Sequence, residues 1–255
     1  MQSPIIIHIT DAHIRDPRRP DDAHKRLRQV FEHIARTEDP DRTVICDTGD
    51  LGWSMTKGEA EEIVWAFAPV RGWWRILCSQ GNHDHGPKGL FWRRKNSDRW
   101  YDLVEDVTGS RPPHAPEIVV RRFRRTAFIS ANSARDQTFL ARGKLGEDQI
   151  KNICAAVENA NRRGQRSVLM LHHCPSGGNA TKRLSDRRDL GEALKGVGRV
   201  DLMLTGHLHQ DRQWSNILGS SRLISSAPIT EEPMRYRRIW WAHGRIVMEW
   251  VDVPN

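Results

Sequence analysis

Apolar and polar residues follow one another along this chain in blocks, and the blocks have the lengths of buried strands and amphipathic helices. Residues 5–9, 42–46, 73–78, 167–171 and 200–204 are short, apolar and rich in branched or aromatic side chains, as strands buried on both faces should be. Residues 23–34, 58–67, 98–107 and 145–160 carry apolar side chains at three- and four-residue spacing, which predicts helices that cover the sheet faces. The last of these begins after Gly146, with Glu147 and Asp148 suited to a helix N-terminus. Further strand signals at 118–123, 126–131, 222–226, 236–242 and 246–251 suggest a second, mixed sheet. A terminal hairpin around Ala242-His243-Gly244-Arg245 is expected to close that second sheet.

Each of the first five strands delivers a polar cluster at its C-terminal end. In chain order these are Asp11-Ala12-His13, Gly49-Asp50, Gly81-Asn82-His83-Asp84, His172-His173 and Gly206-His207-Leu208-His209. Ligands of open α/β sheets bind beyond the carboxyl ends of the strands, so donors spread over about two hundred residues can converge there. Carboxylate, imidazole and carboxamide oxygen suit borderline divalent ions such as Mn²⁺, Zn²⁺ or Fe²⁺, and so many donors exceed what one ion can use. A two-metal hydrolase is the expectation. Taken singly, an Asp-x-His after a strand also serves as a turn with a helix cap, and Gly-Asn-His-Asp as a plain turn. Their order and their common position after strands carry the reading. His172 is read as the ligand of its pair because it comes first after the strand, with His173 behind it. His8, His24, His33, His114 and His243 have no such neighbours and read as ordinary surface or core residues.

The series D-x-H, G-D, G-N-H-(D/E), H and G-H-x-H resembles the signature of the calcineurin-like metallophosphoesterases, and it spans residues 11 to 209. The resemblance implies a four-layer αββα sandwich, an α/β fold of two mixed β-sheets flanked by helices. It implies one metal held by Asp11, His13, Asp50 and His209, and a second held by Asp50, Asn82, His172 and His207, with Asp50 bridging. The cofactors would be two divalent ions drawn from Mn, Fe and Zn, with Mn favoured. Set against two carboxylates and a hydroxide, two such ions leave about one net positive charge to attract a phosphate anion. His83 is not a ligand in the family, so it is expected to protonate the leaving oxygen or stabilise phosphoryl charge, with Asp84 orienting it by a hydrogen bond. The class III cyclic-nucleotide phosphodiesterase branch usually has a second aspartate three residues after the bridging one. Here that position is Trp53, expected to pack under the following helix, with a wall of the substrate pocket as the alternative.

At 255 residues the chain is expected to form a single catalytic domain, residues 1–255. Its longest polar tracts, 15–22, 85–98 and 176–189, follow metal clusters and read as active-site loops. Cys46, Cys78 and Cys154 lie in apolar segments and Cys174 follows the histidine pair, so no disulfide framework is implied and a cytoplasmic location is expected. No apolar run approaches the roughly 20 residues that span a bilayer, so no membrane partner is expected.

Charge adds a competing substrate. The net charge is +8 and the isoelectric point about 9.7, with arginine runs at Arg15–Arg19, Arg93–Lys95, Arg121–Arg125 and Arg235–Arg238. Such runs can hold a nucleic-acid backbone, with Trp92 and Trp100 stacking bases, although acidic residues are mixed throughout. The leading expectation is a phosphodiesterase acting on a small nucleotide, a 3′,5′-cyclic one included, or on a glycerophosphodiester. A DNA or RNA nuclease of the same chemistry is the alternative, and a metal-free scaffold is disfavoured by the full donor set. The sequence is compatible with a homo-oligomer.

Overall fold

The computed structural model describes residues 2–19, 21–73, 75–85, 93–134, 141–179 and 181–254, with the side chains of 93–97 outside that description. Five strands form the first sheet, in the order β11-β10-β1-β2-β3. Here β1 (Ile5–Ile9), β2 (Thr43–Asp47) and β3 (Ile76–Cys78) run parallel, and β10 (Arg235–Ala242) and β11 (Arg245–Asp252) form an antiparallel hairpin. The second sheet has the order β4-β5-β6-β7-β9-β8. Its parallel centre is β5 (Thr126–Ser130), β6 (Arg166–Met170), β7 (Val200–Thr205) and β9 (Ser220–Ser225), edged by antiparallel β4 (Val119–Phe123) and β8 (Arg212–Ile217).

Three apolar clusters separate four layers. Helices α1 (Ala23–Thr37), α2 (Lys57–Phe67) and α3 (Arg93–Thr108) pack on the first sheet around Leu27, Phe31, Ile63, Phe67 and Val104. Helices α4 (Glu147–Arg162) and α5 (Arg187–Val197) cover the second sheet around Ile153, Val157, Leu190 and Leu194. Between the sheets lie Ile6, Val44, Phe128, Val168, Leu202 and Ile239. The alternation explains the division: in β1, Ile5, Ile7 and Ile9 face the helices while Ile6 faces the other sheet. The architecture is the expected αββα sandwich.

The terminal hairpin belongs elsewhere than expected. It completes the first sheet, with β10 antiparallel to β1 (Ile6 opposite Ile239). It offers apolar side chains to both layers: Tyr236 joins the helix-side core and Ile239 the core between sheets. That burial fits a strand at the open side of β1. One strand and one α-helix have no counterpart in the expected set. Strand β8 is mostly exposed, so an apolar pattern is not required of it. Helix α5 buries Leu190 and Leu194 at four-residue spacing, but it starts inside the tract 176–189 that reads as a loop. Among the described residues no helix is long and apolar enough to cross a membrane.

Candidate metal centre

The ends of the two sheets are laced together by backbone. Asp11 and His13 N–H donate to the carbonyls of Gly49 and Asp50 at 2.9 and 3.0 Å, extending the β1–β2 pairing into the loops. Gly206 N–H reaches the His172 carbonyl at 3.0 Å, and His207 N–H donates to Asp11 Oδ2 at 2.9 Å, which joins one sheet to the other. Asp11, His13, Asp50, His207 and His209 all have left-handed backbones, with φ of 54, 47, 58, 68 and 52°. Each such residue costs about 1–3 kcal/mol and persists only where its surroundings over-determine it. Here the offset comes from strands whose buried isoleucines and leucines contribute roughly 1.5–3 kcal/mol each.

This strained backbone aims the donors at two points. His172 Nε2 lies 3.2 Å from Asp50 Oδ2, 3.2 Å from Asn82 Oδ1 and 3.2 Å from His207 Nδ1. His13 Nε2 lies 3.5 Å from Asp11 Oδ1, 3.8 Å from Asp50 Oδ2 and 3.0 Å from His209 Nε2, and His209 Nε2 is 3.2 Å from Asp11 Oδ1. Ligands about 2.1 Å from one ion stand roughly 3.0–3.4 Å apart in octahedral or tetrahedral spheres. Most of the separations lie in or near that range, so the two quartets could hold two ions with Asp50 Oδ2 common to both. His172 Nδ1 donates to the Thr48 carbonyl at 2.8 Å, which leaves the Nε2 lone pair for a metal.

The electrostatics ask for a cation. Burial alone would lower the His172 imidazole, but Asp50 and then Asp11 override it and raise it to about 10. His207 is lowered to about 3 by burial and by His172. Asp11 and Asp50 stay well below the usual carboxylate range: burial opposes ionisation, and neighbouring histidines overcome it. A divalent ion answers the same demand as the His172 proton.

Other residues keep the ligands in place. His83 N–H donates to Asp50 Oδ1 at 2.8 Å, so that oxygen is occupied and Oδ2 turns to the quartets. Asp84 does not hydrogen-bond the His83 ring, contrary to expectation. Its carboxylate accepts from the amides of Asp50 (2.9 Å), Gly81 (2.8 Å) and Gly52 (3.3 Å), clamping two loops together. Burial and the nearby Asp50 raise it to about 7. The His83 ring instead donates from Nδ1 to the Trp53 carbonyl at 3.1 Å. Trp53 itself, half-buried, stacks on His83 at 4.1 Å and 22°, so it lines the centre rather than packing under α2. His173 lies behind His172, its Nδ1 3.0 Å from Ser133 Oγ, although it also falls within ligand reach of His172 and His207. His8 is a core residue between Thr48 and Ser226. The Cys174 thiol is buried and donates to the Ser176 carbonyl at 2.8 Å; it joins none of the candidate ligand groups among the described residues.

Arg19 enters the sequence reading only as part of an arginine run, because its partner is distant in the chain. Its Nη2 lies 2.8 Å from His209 Nδ1. A guanidinium only donates, so this contact puts the ring proton of a neutral His209 on Nε2. Ligation through Nε2 is incompatible with it, and Glu231 and Asp16 beside Arg19 offer the guanidinium other partners.

Gly81 is required by close approach: a Cβ there would collide with the side chain and amide of Asp50. Gly81→Ala is expected to cost about 1–3 kcal/mol by overpacking and to shift Asp50. A lower melting temperature with reduced metal retention is the expected result; wild-type retention would mean that the loop yields without moving the ligand.

The two-sheet sandwich thus gathers His/Asp clusters at the sheet ends, where they could hold metal ions. The chain belongs to the calcineurin-like phosphoesterase family, whose model matches residues 5–211; its members typically bind two divalent metals. Among solved structures it is similar to a dimetal phosphatase from Danio rerio, with a TM-score of 0.73, 13% identity, and 100% and 98% of the two chains covered. It is also similar to a 5′-nucleotidase precursor from Thermus thermophilus (TM-score 0.54, 14% identity), covering 98% of this chain and 54% of that one. The sulfate thiohydrolase SoxB of Thermus thermophilus gives a TM-score of 0.56 at 12% identity, with 99% and 57% covered. At these identities the likeness is one of fold. No curated protein sequence matches the chain.

Proposed function

We propose that this protein is a cytoplasmic dinuclear-metal phosphodiesterase acting on a small nucleotide-like or glycerophosphodiester substrate. The carrying observation is the pair of four-donor clusters sharing Asp50 Oδ2. Asp11, His13, Asp50 and His209 would hold one ion, and Asp50, Asn82, His172 and His207 the other, with manganese favoured. Ions bound there would supply Lewis-acid stabilisation of the phosphoryl oxygens and would lower the pKa of a water toward neutral. His83 then acts on the leaving oxygen, and Asp84 holds the loops that carry Asp50 and His83 in register. Four free, buried cysteines fit a reducing compartment.

Charge pairing favours a small substrate over a nucleic acid. Arg15 pairs with Glu62 (2.7 Å), Arg18 with Asp16 (2.9 Å), Arg19 with Glu231, Arg237 with Asp211, and Arg238 with Glu38 (3.0 Å) and Glu249 (2.9 Å). Much of two arginine runs is thereby neutralised. Trp100 is buried and edge-on to Tyr101 at 5.0 Å, a packing role, while Trp92 and the side chains of Arg93–Lys95 lie outside the described residues. The test is hydrolysis of bis-p-nitrophenyl phosphate, p-nitrophenyl phosphate, cyclic nucleotides and single-stranded DNA by the Mn²⁺-loaded protein. Diester turnover with weak salt dependence is expected. A nuclease would instead lose DNA affinity with a log–log slope of about 0.7 per neutralised phosphate, flattened by Arg93→Ala with Arg94→Ala. That steep slope with strand cleavage would overturn the small-substrate reading.

A further inference from the structure

The indole of Trp53 sits between two partners. The His83 ring stacks on it with centroids 4.1 Å apart and planes 22° from parallel. The Arg18 guanidinium lies 4.3 Å above the same ring. Both groups cannot occupy one face, so the indole is sandwiched. Arg18 is itself fixed: Asp16, 3% exposed, accepts from its Nε at 3.0 Å, its Nη2 at 2.9 Å and its backbone N–H at 2.9 Å. The Trp53 main chain is tied too, its N–H donating to the Ile14 carbonyl at 3.1 Å. Its carbonyl takes the His83 Nδ1 proton at 3.1 Å.

Two independent contacts from one residue thus constrain the imidazole. The stack fixes the plane of the ring, and the carbonyl fixes which nitrogen faces away from the loop. A ring nitrogen of His83 lies within 4.8 Å of donor atoms of His13 and Asp50, so that orientation aims the ring across the metal centre. A tryptophan that merely filled space would not need a guanidinium on one face, a carboxylate behind it, and its own carbonyl spent on the residue it stacks with. We propose that Trp53 is the positioning residue for His83, braced by the Arg18–Asp16 pair. This rests on the role given to His83 above. Without the indole the ring still has its tether to the loop but loses its plane, and misplacement of a reacting group by about 1 Å can cost as much as roughly 100-fold in rate.

The test combines a kinetic cycle with a spectrum. Trp53→Leu keeps an apolar, smaller side chain without a π face, Trp53→Phe restores the face, and His83→Ala is combined with each. Trp53→Leu should retain both ions and lower kcat about ten-fold, a part of the roughly 10²–10⁴-fold a positioned acid contributes, with KM nearly unchanged for an alkyl leaving group. Trp53→Phe should recover most of that loss, and Trp53→Leu should have no further effect in the His83→Ala background. Equal losses in both backgrounds would overturn the proposal. In the Zn²⁺-loaded, diamagnetic protein, the His83 ring protons should show an upfield ring-current shift and the ring nitrogens an Nδ1–H tautomer. Trp53→Leu should abolish the shift and broaden the ring-proton signals as the ring loses its plane, while the Nδ1–H tautomer, held by the main-chain carbonyl, persists. Spectra unchanged by Trp53→Leu would overturn the proposal even if the wild-type protein hydrolyses no phosphoester, an outcome that would by itself remove only the functional reading.

Discussion

Alanine at position 50 is expected to leave a protein that holds neither metal and has no measurable phosphoesterase activity. Asp50 Oδ2 stands 3.2 Å from His172 Nε2 and 3.8 Å from His13 Nε2, so one truncation removes a donor from both quartets. Removing an outer hydrogen-bond partner of a ligand costs roughly 10–100-fold in metal affinity; losing a shared ligand should cost more. His209→Ala is the comparison. His209 belongs to one quartet and its side chain is 35% exposed, so that variant should keep one ion. Elemental analysis after dialysis separates the two outcomes. Melting gives a second readout, because metal at about 100 times its Kd stabilises the fold by about 2.7 kcal/mol. That increment should be present in wild type, abolished by chelator, and absent from Asp50→Ala. Full turnover by a metal-free Asp50→Ala protein would sink the two-metal reading.

The same electrostatics set a pH dependence. The His172 imidazole is raised to about 10 in the metal-free fold by Asp50 and Asp11 acting against burial. A raised imidazole stabilises that fold fully below its unfolded value near 6.5, and the contribution fades as pH climbs through about 10. Metal needs the neutral ring, so loading releases a proton and metal affinity should strengthen as pH rises over this interval.

The donors were legible in the sequence because chemistry and position coincide there. A carboxylate, amide or imidazole directly after an apolar strand is recorded in the order of residues, and the parallel sheet brings the strand ends together. What supports the donors was not legible. Asp84 acts on backbone amides, which every residue has, so nothing in its neighbourhood distinguishes a loop clamp from a partner for His83. The Arg19–His209 contact joins residues far apart in the chain. Trp53 reads as a helix-packing residue because an indole near a helix start has no polar signature, and its stack on His83 depends on how two loops lie beside each other. The hairpin β10–β11 carries a clear strand pattern, but a pattern does not say which sheet has an open side; the vacancy beside β1 decides that. Exposed β8 lacks even the pattern.

His83→Ala is expected to keep both metals and lose turnover, and the loss should depend on the leaving group. Metal retention follows from geometry: the link from position 83 to Asp50 Oδ1 is a backbone N–H at 2.8 Å, which alanine preserves, and the imidazole is in neither quartet. A positioned acid contributes about 10²–10⁴-fold, so an ester with an alkyl leaving group should slow by that order while a p-nitrophenyl ester, whose leaving oxygen needs little help, slows far less. The proton's location makes the sign of the pH effect definite. Nδ1–H is held by the Trp53 carbonyl, so donation from Nε2 requires the imidazolium. Burial, the largest influence on this ring, lowers its pKa, His13 adds to that, and Asp50 opposes it. A lowered group is protonated over a more acidic range, so assistance to a poor leaving group should grow as pH falls until loss of metal intervenes. That acid limb should vanish in His83→Ala and be weak for the p-nitrophenyl ester in wild type. A loss of equal size for both esters would point to phosphoryl-charge stabilisation instead of proton donation, and loss of metal in the variant would make His83 part of the scaffold that holds the ions.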